Sequence, residues 1–514
     1  MTNKVSGIWG AIAAFTVLLF GGWSGVVIGW LLGTAVGFTR CLNQQVLSPK
    51  MGAKLGGSAG LTIGFWLLGS SVLQGFLAPI LGQFPVGFVT SLILGTIALA
   101  VATVSAGIMG ALQGLPFDRR RWATLITLAF VLILFPFVDG VAKTNWIATA
   151  ILILIFTMLA LGLNITVGFA GLLDLGYAAF FAIGAYTTGF LSSPQLGNSW
   201  NFWLVLPISA GVAAIFGIIL GTPTLRLRGD YLAIVTLGFG EIVPVIFRNL
   251  TELRIQEPIS SIVALISGRP ELAICLVGCE KALNLTGGEA GINPIGRPVL
   301  PIVGEFDSTD YFPWYYLVLA LVVGSYWAIS RLKNSRLGRA WEAIREDELA
   351  ASAMGINRVK TKLLAFSMGA MFSGFAGSFY AAYISAIFPS VFDFSVSVII
   401  LCMVILGGLG NMKGVILGSI IIMSADRLYL PQLAQVLKSF LNTSVLPNLT
   451  NPQLKDFIAT SLDPIQMRLF LFGLTLVIMM IVRPEGLLPD AVHRAELHVE
   501  DKDDNEPLSP QRSS

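Results

Sequence analysis

Two carboxylates stand almost alone in apolar sequence. Asp174 separates the charge-free runs 144–173 and 175–225, and Glu241 lies inside the apolar segment 231–247. A charged side chain in lipid is costly, so each should face the protein interior. There it serves a substrate path or is neutralised by a neighbouring helix that it helps to fix. Glu241 follows Asp230 by eleven residues, roughly 16 Å along a helix and near the middle of a bilayer. Pro244 in the same segment frees a carbonyl and permits a kink. Asp174 has a second reading, as an interfacial cap at a break in the chain.

Glycine clusters surround the first of these acids and recur later. NITVGFAGLLDLGYAAFFAIGAY, residues 164–186, carries Gly168, Gly171, Gly176 and Gly184, and VILGGLGNMKGVILGS, residues 404–419, carries Gly407, Gly408, Gly410, Gly414 and Gly418. Discontinuous helices in corresponding halves of a transport protein point to the pathway, because irregular backbone is tolerated only around a cavity. Close helix packing through small residues is the competing reading. Gly168, Gly171, Asp174, Tyr177 and Glu241 are the candidate pathway residues.

Other chemistry is missing from the sequence. A phosphate-binding loop needs GxxxxGK followed by Ser or Thr, so that backbone amides and the lysine hold phosphate; the chain has none. Its histidines, His493 and His498, lie near the C-terminus, away from any apolar run. No histidine proton relay or zinc motif is present. Cys41, Cys275, Cys279 and Cys402 form no metal-ligand pattern; Cys275 and Cys279 share a loop and read as ordinary thiols or as a bridge in an oxidising compartment. No cofactor is expected in this chain.

The elements that hold these residues are membrane helices. The 514 residues are 55% apolar and 12% charged, about half the charge of a soluble domain. Asp, Glu, Lys and Arg are absent from 5–39, 55–117, 144–173, 175–225, 311–330, 363–392 and 394–412. A crossing takes about 20 apolar residues, so 55–117 and 175–225 each hold two. With 122–138, 231–247 and 466–483 the count is about eleven to thirteen, and the fold class is all-α, a polytopic transmembrane helical bundle. A barrel is excluded by the lack of period-two alternation.

Basic residues orient the bundle. Loops at 40–54, 118–121 (Arg119, Arg120, Arg121), 226–228 (Arg226, Arg228) and 331–362 carry the positive bias, the last with eight basic residues against four acids. They belong on the cytoplasmic side. The 249–310 loop, with four basic and eight acidic residues, belongs outside.

Within 335–362, Leu337, Trp341 and Ile344 recur at helical spacing and give a short helix with one apolar face. Asp347 is placed to cap a following helix, Glu348 to favour its start and Gly355 to end it in the left-handed conformation. Two short helices outside the membrane, one with an exposed apolar stripe, suit a partner's groove; a solvated, membrane-skimming loop is the alternative.

The Glu342-Ala343 step and Gly355, within GRAWEAIREDELAASAMGIN, resemble the cytoplasmic motif of bacterial ABC importer permeases, in the form found in the branched-chain amino acid family. GLNITVGFAGLLDLGYAAFFAIGAY at 162–186, LRLRGDYLAIVTLGFGEIV at 225–243, the 363–420 block and RPEGLLP at 483–489 are similar as well. The resemblance implies a subunit of the bacterial inner membrane that works with a second homologous permease subunit, two ABC ATPase subunits that bind the ATP, and an external solute-binding protein. Glu342, Ala343, Arg345, Glu346 and Gly355 match the ATPase-coupling positions, and TGGEAGINPIGRP at 286–298 a loop on the outer side. The implied cargo is a branched-chain or other small neutral amino acid, with urea or a short amide as the alternative. An ion-coupled secondary transporter and a membrane-embedded enzyme are rival classes, and no nucleic-acid partner is expected. Residues 1–120 read as an N-terminal transmembrane extension, 121–485 as the permease core and 486–514 as a disordered cytoplasmic tail; 258–282, with Arg269 and Glu271, looks like an insertion.

Overall fold

The computed structural model describes residues 13–17, 20, 24–43, 49–81, 88–113, 117–224, 230–250, 285–300, 304–307, 309–440, 468–482 and 486–488. Expectations placed on Arg226 and Arg228, on the 258–282 insertion with Cys275 and Cys279, and on the C-terminal tail lie outside these residues, as do the side chains of Cys41, Arg119, Arg120 and Arg121.

The protein is a multi-pass helical bundle. Its helices are α1 (Ser24–Asn43), α2 (Pro49–Leu81), α3 (Phe88–Gln113), α4 (Phe117–Ala142), α5 (Ile147–Leu163), α6 (Tyr177–Ser192), α7 (Phe202–Thr224) and α8 (Asp230–Asn249). A two-stranded antiparallel hairpin, β1 (Val299–Leu300) and β2 (Gly304–Glu305), leads to α9 (Tyr311–Lys333). Then come α10 (Arg336–Glu346), α11 (Glu348–Ala353), α12 (Arg358–Ile384), α13 (Phe394–Gly407), α14 (Met412–Ser424), α15 (Leu430–Phe440) and α16 (Arg468–Val482). Among the described residues ten helices are long and apolar enough to cross a membrane. Shorter apolar helices accompany them, including the 16-residue α6 and the 15-residue α16. The long charge-free runs divide as their length requires: 55–117 into α2 and α3, 175–225 into α6 and α7.

Two compact units emerge, Met1–Thr149 with Ser424–Arg468, and Ala150–Met423 with Leu469–Ser514. In the first, α1, α2 and α3 pack through small residues. A Cβ at Gly60 would lie 2.5 Å from the Ala102 carbonyl oxygen, and one at Gly33 would lie 2.6 Å from the same atom. Such close approach is how membrane helices gain dispersion energy when lipid is as apolar as their own side chains. Asp139 is 3% exposed and binds the Trp146 and Ile147 amides at 3.0 and 3.1 Å, capping the start of α5.

In the second unit α6, α7 and α12 share a polar junction. Thr188 Oγ1 meets Ser378 Oγ at 2.8 Å and Ser209 Oγ at 2.9 Å, one hydroxyl from each helix. Gly184 and Gly374 let α6 touch α12, since a Cβ at Gly184 would stand 2.5 Å from the Gly374 Cα. One end of this unit carries α10 and α11, between α9 and α12. The other end carries the 285–298 loop, where Ile292 bridges Ile387 and the Gly296 amide donates to the Ser192 carbonyl at 3.0 Å.

Candidate functional site

Both glycine clusters interrupt helices. Beyond Leu163 the chain of α5 widens into a π-helical turn, Asn164–Phe169, with all six residues buried. Gly171 then takes φ +67° and turns the chain toward α6. Gly408 and Gly410, with φ 113° and 81°, make the corner between α13 and α14. Here the packing reading holds too: Gly407 and Gly414 face each other, and a Cβ on either would strike the other's carbonyl.

Asn164 joins the two breaks. Its Oδ1 accepts from the Gly410 amide at 3.0 Å, while its Nδ2 is buried without a hydrogen-bond partner. A Cβ on Gly168 would collide with Asn164 Oδ1 and lie 2.7 Å from the Gly410 nitrogen, so only glycine fits. From the end of α9, Lys333 Nζ donates to the Gly410 carbonyl at 3.1 Å and stands 5.3 Å from the centre of the Phe169 ring.

Asp174 and Tyr177 lie just past the first break. Asp174 is 1% exposed; its Oδ1 accepts from the Gly176 amide at 3.0 Å, and its Oδ2 has no hydrogen-bond partner. The bond closes a turn of its own loop; the residue capping α6 is Gly176, with no side-chain bond to the helix. The Leu175 amide donates to Thr236 Oγ1 of α8 at 3.1 Å, and Gly176 sits directly on the Thr236 carbonyl. Tyr177, fully buried, donates to the Gly369 carbonyl of α12 at 2.9 Å, and the Ala178 amide at the start of α6 donates to Ser397 Oγ of α13 at 2.9 Å. The break is therefore tied to three helices at once.

The short helices α10 and α11 form as their capping residues require. Ser335 accepts from the Leu337 and Gly338 amides, and Asp347 from those of Leu349 and Ala350. Gly355 leaves α11 at φ +88°. The apolar stripe, however, is not exposed. Trp341 is fully buried and its Nε1 donates to the Thr361 carbonyl of α12 at 2.8 Å, while Ile344 is 5% exposed. The stripe satisfies the chain's own need to anchor α10 on α12, leaving Glu342 and Ala343 half-buried and Glu346 and Gly355 exposed. The exposed apolar groups are instead Leu349 and Met354, at 68% and 86%.

Arg345 turns back into the unit. Its Nη1 donates to the Gly168 carbonyl, and Gly171 leaves room for its stem, since a Cβ there would stand 2.9 Å from Arg345 Cγ. Two sets of candidates that the sequence kept apart, the α10 positions and the first glycine break, meet at this point.

Glu241 does not join them. It is exposed on α8, beside Ile242, Val245 and Ile246, and among the described residues no cation pairs with it. This corrects the expectation of an interior position. The face of α8 turned to the unit carries Thr236 and Gly240, which pack on Gly176, and the buried Val243. Glu241 falls on the other side of the helix. Asn164, Lys333, Leu349 and Met354 were missed in the sequence; an asparagine inside the charge-free run 144–173 was the one usable signal.

Comparison with known proteins places the chain among membrane permeases. Residues 145–480 match the family model described as branched-chain amino acid transport system / permease component. The chain is 38% identical over 383 residues to the high-affinity branched-chain amino acid transport system permease protein LivM of Escherichia coli, covering 74% of this chain and 78% of that one. It is 26% identical over 348 residues to the probable LivM permease of Methanocaldococcus jannaschii, covering 65% and 91%. A shorter match, 30% over 115 residues, reaches the E. coli permease LivH and covers 22% and 37%. No solved structure matches.

Proposed function

The chain belongs to the branched-chain amino acid transport permease family, and on that premise we propose that it is one membrane subunit of an ATP-driven importer for branched-chain or other neutral amino acids. It forms half of the translocation pathway, the other half coming from a second homologous permease chain. Two separate ATPase subunits hydrolyse the ATP, and an external binding protein delivers the substrate. The chain sits in the bacterial inner membrane with α10 and α11 on the cytoplasmic side, as their basic flanks favour.

One observation carries the coupling. Arg345, on a short helix at the end of the bundle, holds the carbonyl of Gly168 inside the π-helical turn. Movement imposed on α10 and α11 thereby acts directly on the broken segment. Single π turns inside helices recur at functional sites. The partner surface is Leu349 and Met354 with the flanking Glu342, Glu346 and Gly355, exposed apolar groups ringed by charge. A shift in pathway state requires contact that differs between the two states of the ATPases. Glycine breaks offer helix ends whose partial charges suit a zwitterion without formal charges in the pathway.

The experiment is uptake of labelled leucine into vesicles that hold the complete importer, with unlabelled leucine, alanine and urea as competitors. ATP-dependent uptake inhibited by leucine is expected. Uptake that persists without the ATPase chains, driven by an ion gradient, would overturn the reading, and competition by urea alone would reassign the cargo.

A further inference from the structure

A slot of about 400 Å³ opens between α6, α7 and α8, within the second unit. Its walls include Ile183, Val212, Phe216, Phe239, Val243 and Ile246. Tyr186 also lines it. The Tyr186 ring stacks on Phe247 with centroids 3.9 Å apart and planes 10° apart, and its hydroxyl is buried with no hydrogen-bond partner. Leaving a buried hydroxyl unpaired costs about 1–3 kcal/mol, so the atom is set to receive a partner from outside the chain.

The slot shares Ile246 and Leu250 with a shallower concavity that contains Glu241 and Asn249. Glu241 itself lies on the other side of α8 from Val243 and Phe247, so the polar group of the slot is the Tyr186 hydroxyl. We infer that the slot is a substrate subsite: it takes the aliphatic side chain of a neutral amino acid, and the Tyr186 hydroxyl meets a polar group of the same molecule. This rests on the functional reading above, in which the chain forms half of the pathway for a neutral amino acid. Size permits it, since a closed cavity of about 150 Å³ already holds a benzene ring.

A lipid tail is the other aliphatic occupant. Tyr186 stands six residues before the end of α6, roughly 9 Å along the helix. A straight alkyl chain at that depth brings no polar atom to the hydroxyl, whereas an amino acid does.

The test uses the complete importer in vesicles, with leucine and alanine uptake measured separately at saturating binding protein. Val243→Phe fills the slot, and the leucine-to-alanine ratio of kcat/KM is expected to fall about tenfold or more, the usual worth of a few methylenes in an apolar pocket. Tyr186→Phe keeps the ring stack and is expected to lower uptake of both amino acids about tenfold. If Val243→Phe does not assemble, the near-isosteric Tyr186→Phe decides. Wild-type uptake with an unchanged ratio in Val243→Phe and normal uptake in Tyr186→Phe overturns the inference alone. So does loss of a co-purified lipid on filling the slot while the ratio holds. A wild-type importer that moves neither amino acid overturns the functional reading and the subsite together.

Discussion

Arg345 donates a hydrogen bond to the Gly168 carbonyl, joining a helix at the end of the bundle to a π-helical turn inside it. The carbonyl is available because it lies in the last turn before the break, where a helix leaves its final carbonyls without a helical partner. A charged donor makes the bond stronger than a neutral pair.

Removing that donor should separate ATP hydrolysis from transport. Arg345→Ala is expected to reduce uptake tenfold or more, from the loss of about 1.5–3 kcal/mol in a charge-assisted bond. ATPase activity and co-purification of the complex should remain. Uptake and hydrolysis measured on one preparation check it; a parallel loss of both would point to disassembly instead.

The surface that meets the ATPases should be apolar and centred on α11. The side chains of Met354, 86% exposed, and Leu349, 68% exposed, bury little surface in the chain's own fold. Met354→Glu is therefore expected to leave expression and thermal stability unchanged while reducing ATPase co-purification several-fold, as truncation of an interface anchor does. Retention of the full ATPase complement in Met354→Glu counts against this surface.

Gly355 carries a different kind of constraint. At φ +88°, with open space around it, a side chain would meet backbone strain and no steric neighbour. Gly355→Ala should cost about 1–2 kcal/mol locally. Gly355→Asn, which tolerates the left-handed region, should retain more transport than Gly355→Ala. Equal activity of the two would show that backbone conformation at this corner is not what matters.

Much of this was legible in the residues. Charge-free runs longer than one crossing split into helix pairs, and Asp347 and Gly355 delimit α11 as their chemistry demands. The two glycine clusters did mark breaks. What sequence could not supply was direction. Trp341 looks the same in a pattern whether it faces its own α12 or a partner, and it faces α12. Glu241 lies in a helix apolar on nearly every side, and lipid and protein interior select the same residue types, so periodicity cannot say which side is inward. The bond from Gly410 to Asn164 links positions 246 apart, and no local signal encodes it.

That bond makes the final prediction. Asn164 Oδ1 accepts from the Gly410 amide at 3.0 Å and occupies the space that a Gly168 methyl would need. Gly168→Ala should destabilise by about 1–3 kcal/mol, as overpacking a tight site does, whereas Gly211→Ala, with nothing within 4 Å, should be neutral or slightly stabilising. Asn164→Ala should cost about 1–3 kcal/mol by orphaning a buried amide. In Gly168→Ala combined with Asn164→Ala, the methyl enters the space the carboxamide has left. The Gly410 nitrogen, 2.7 Å from that methyl, keeps the relief incomplete. The double variant should therefore be more stable than the sum of the two losses, with a coupling of about 0.5–3 kcal/mol. Thermal unfolding of all four variants in one detergent measures it, and strict additivity would show that the two breaks are held together by something other than this contact.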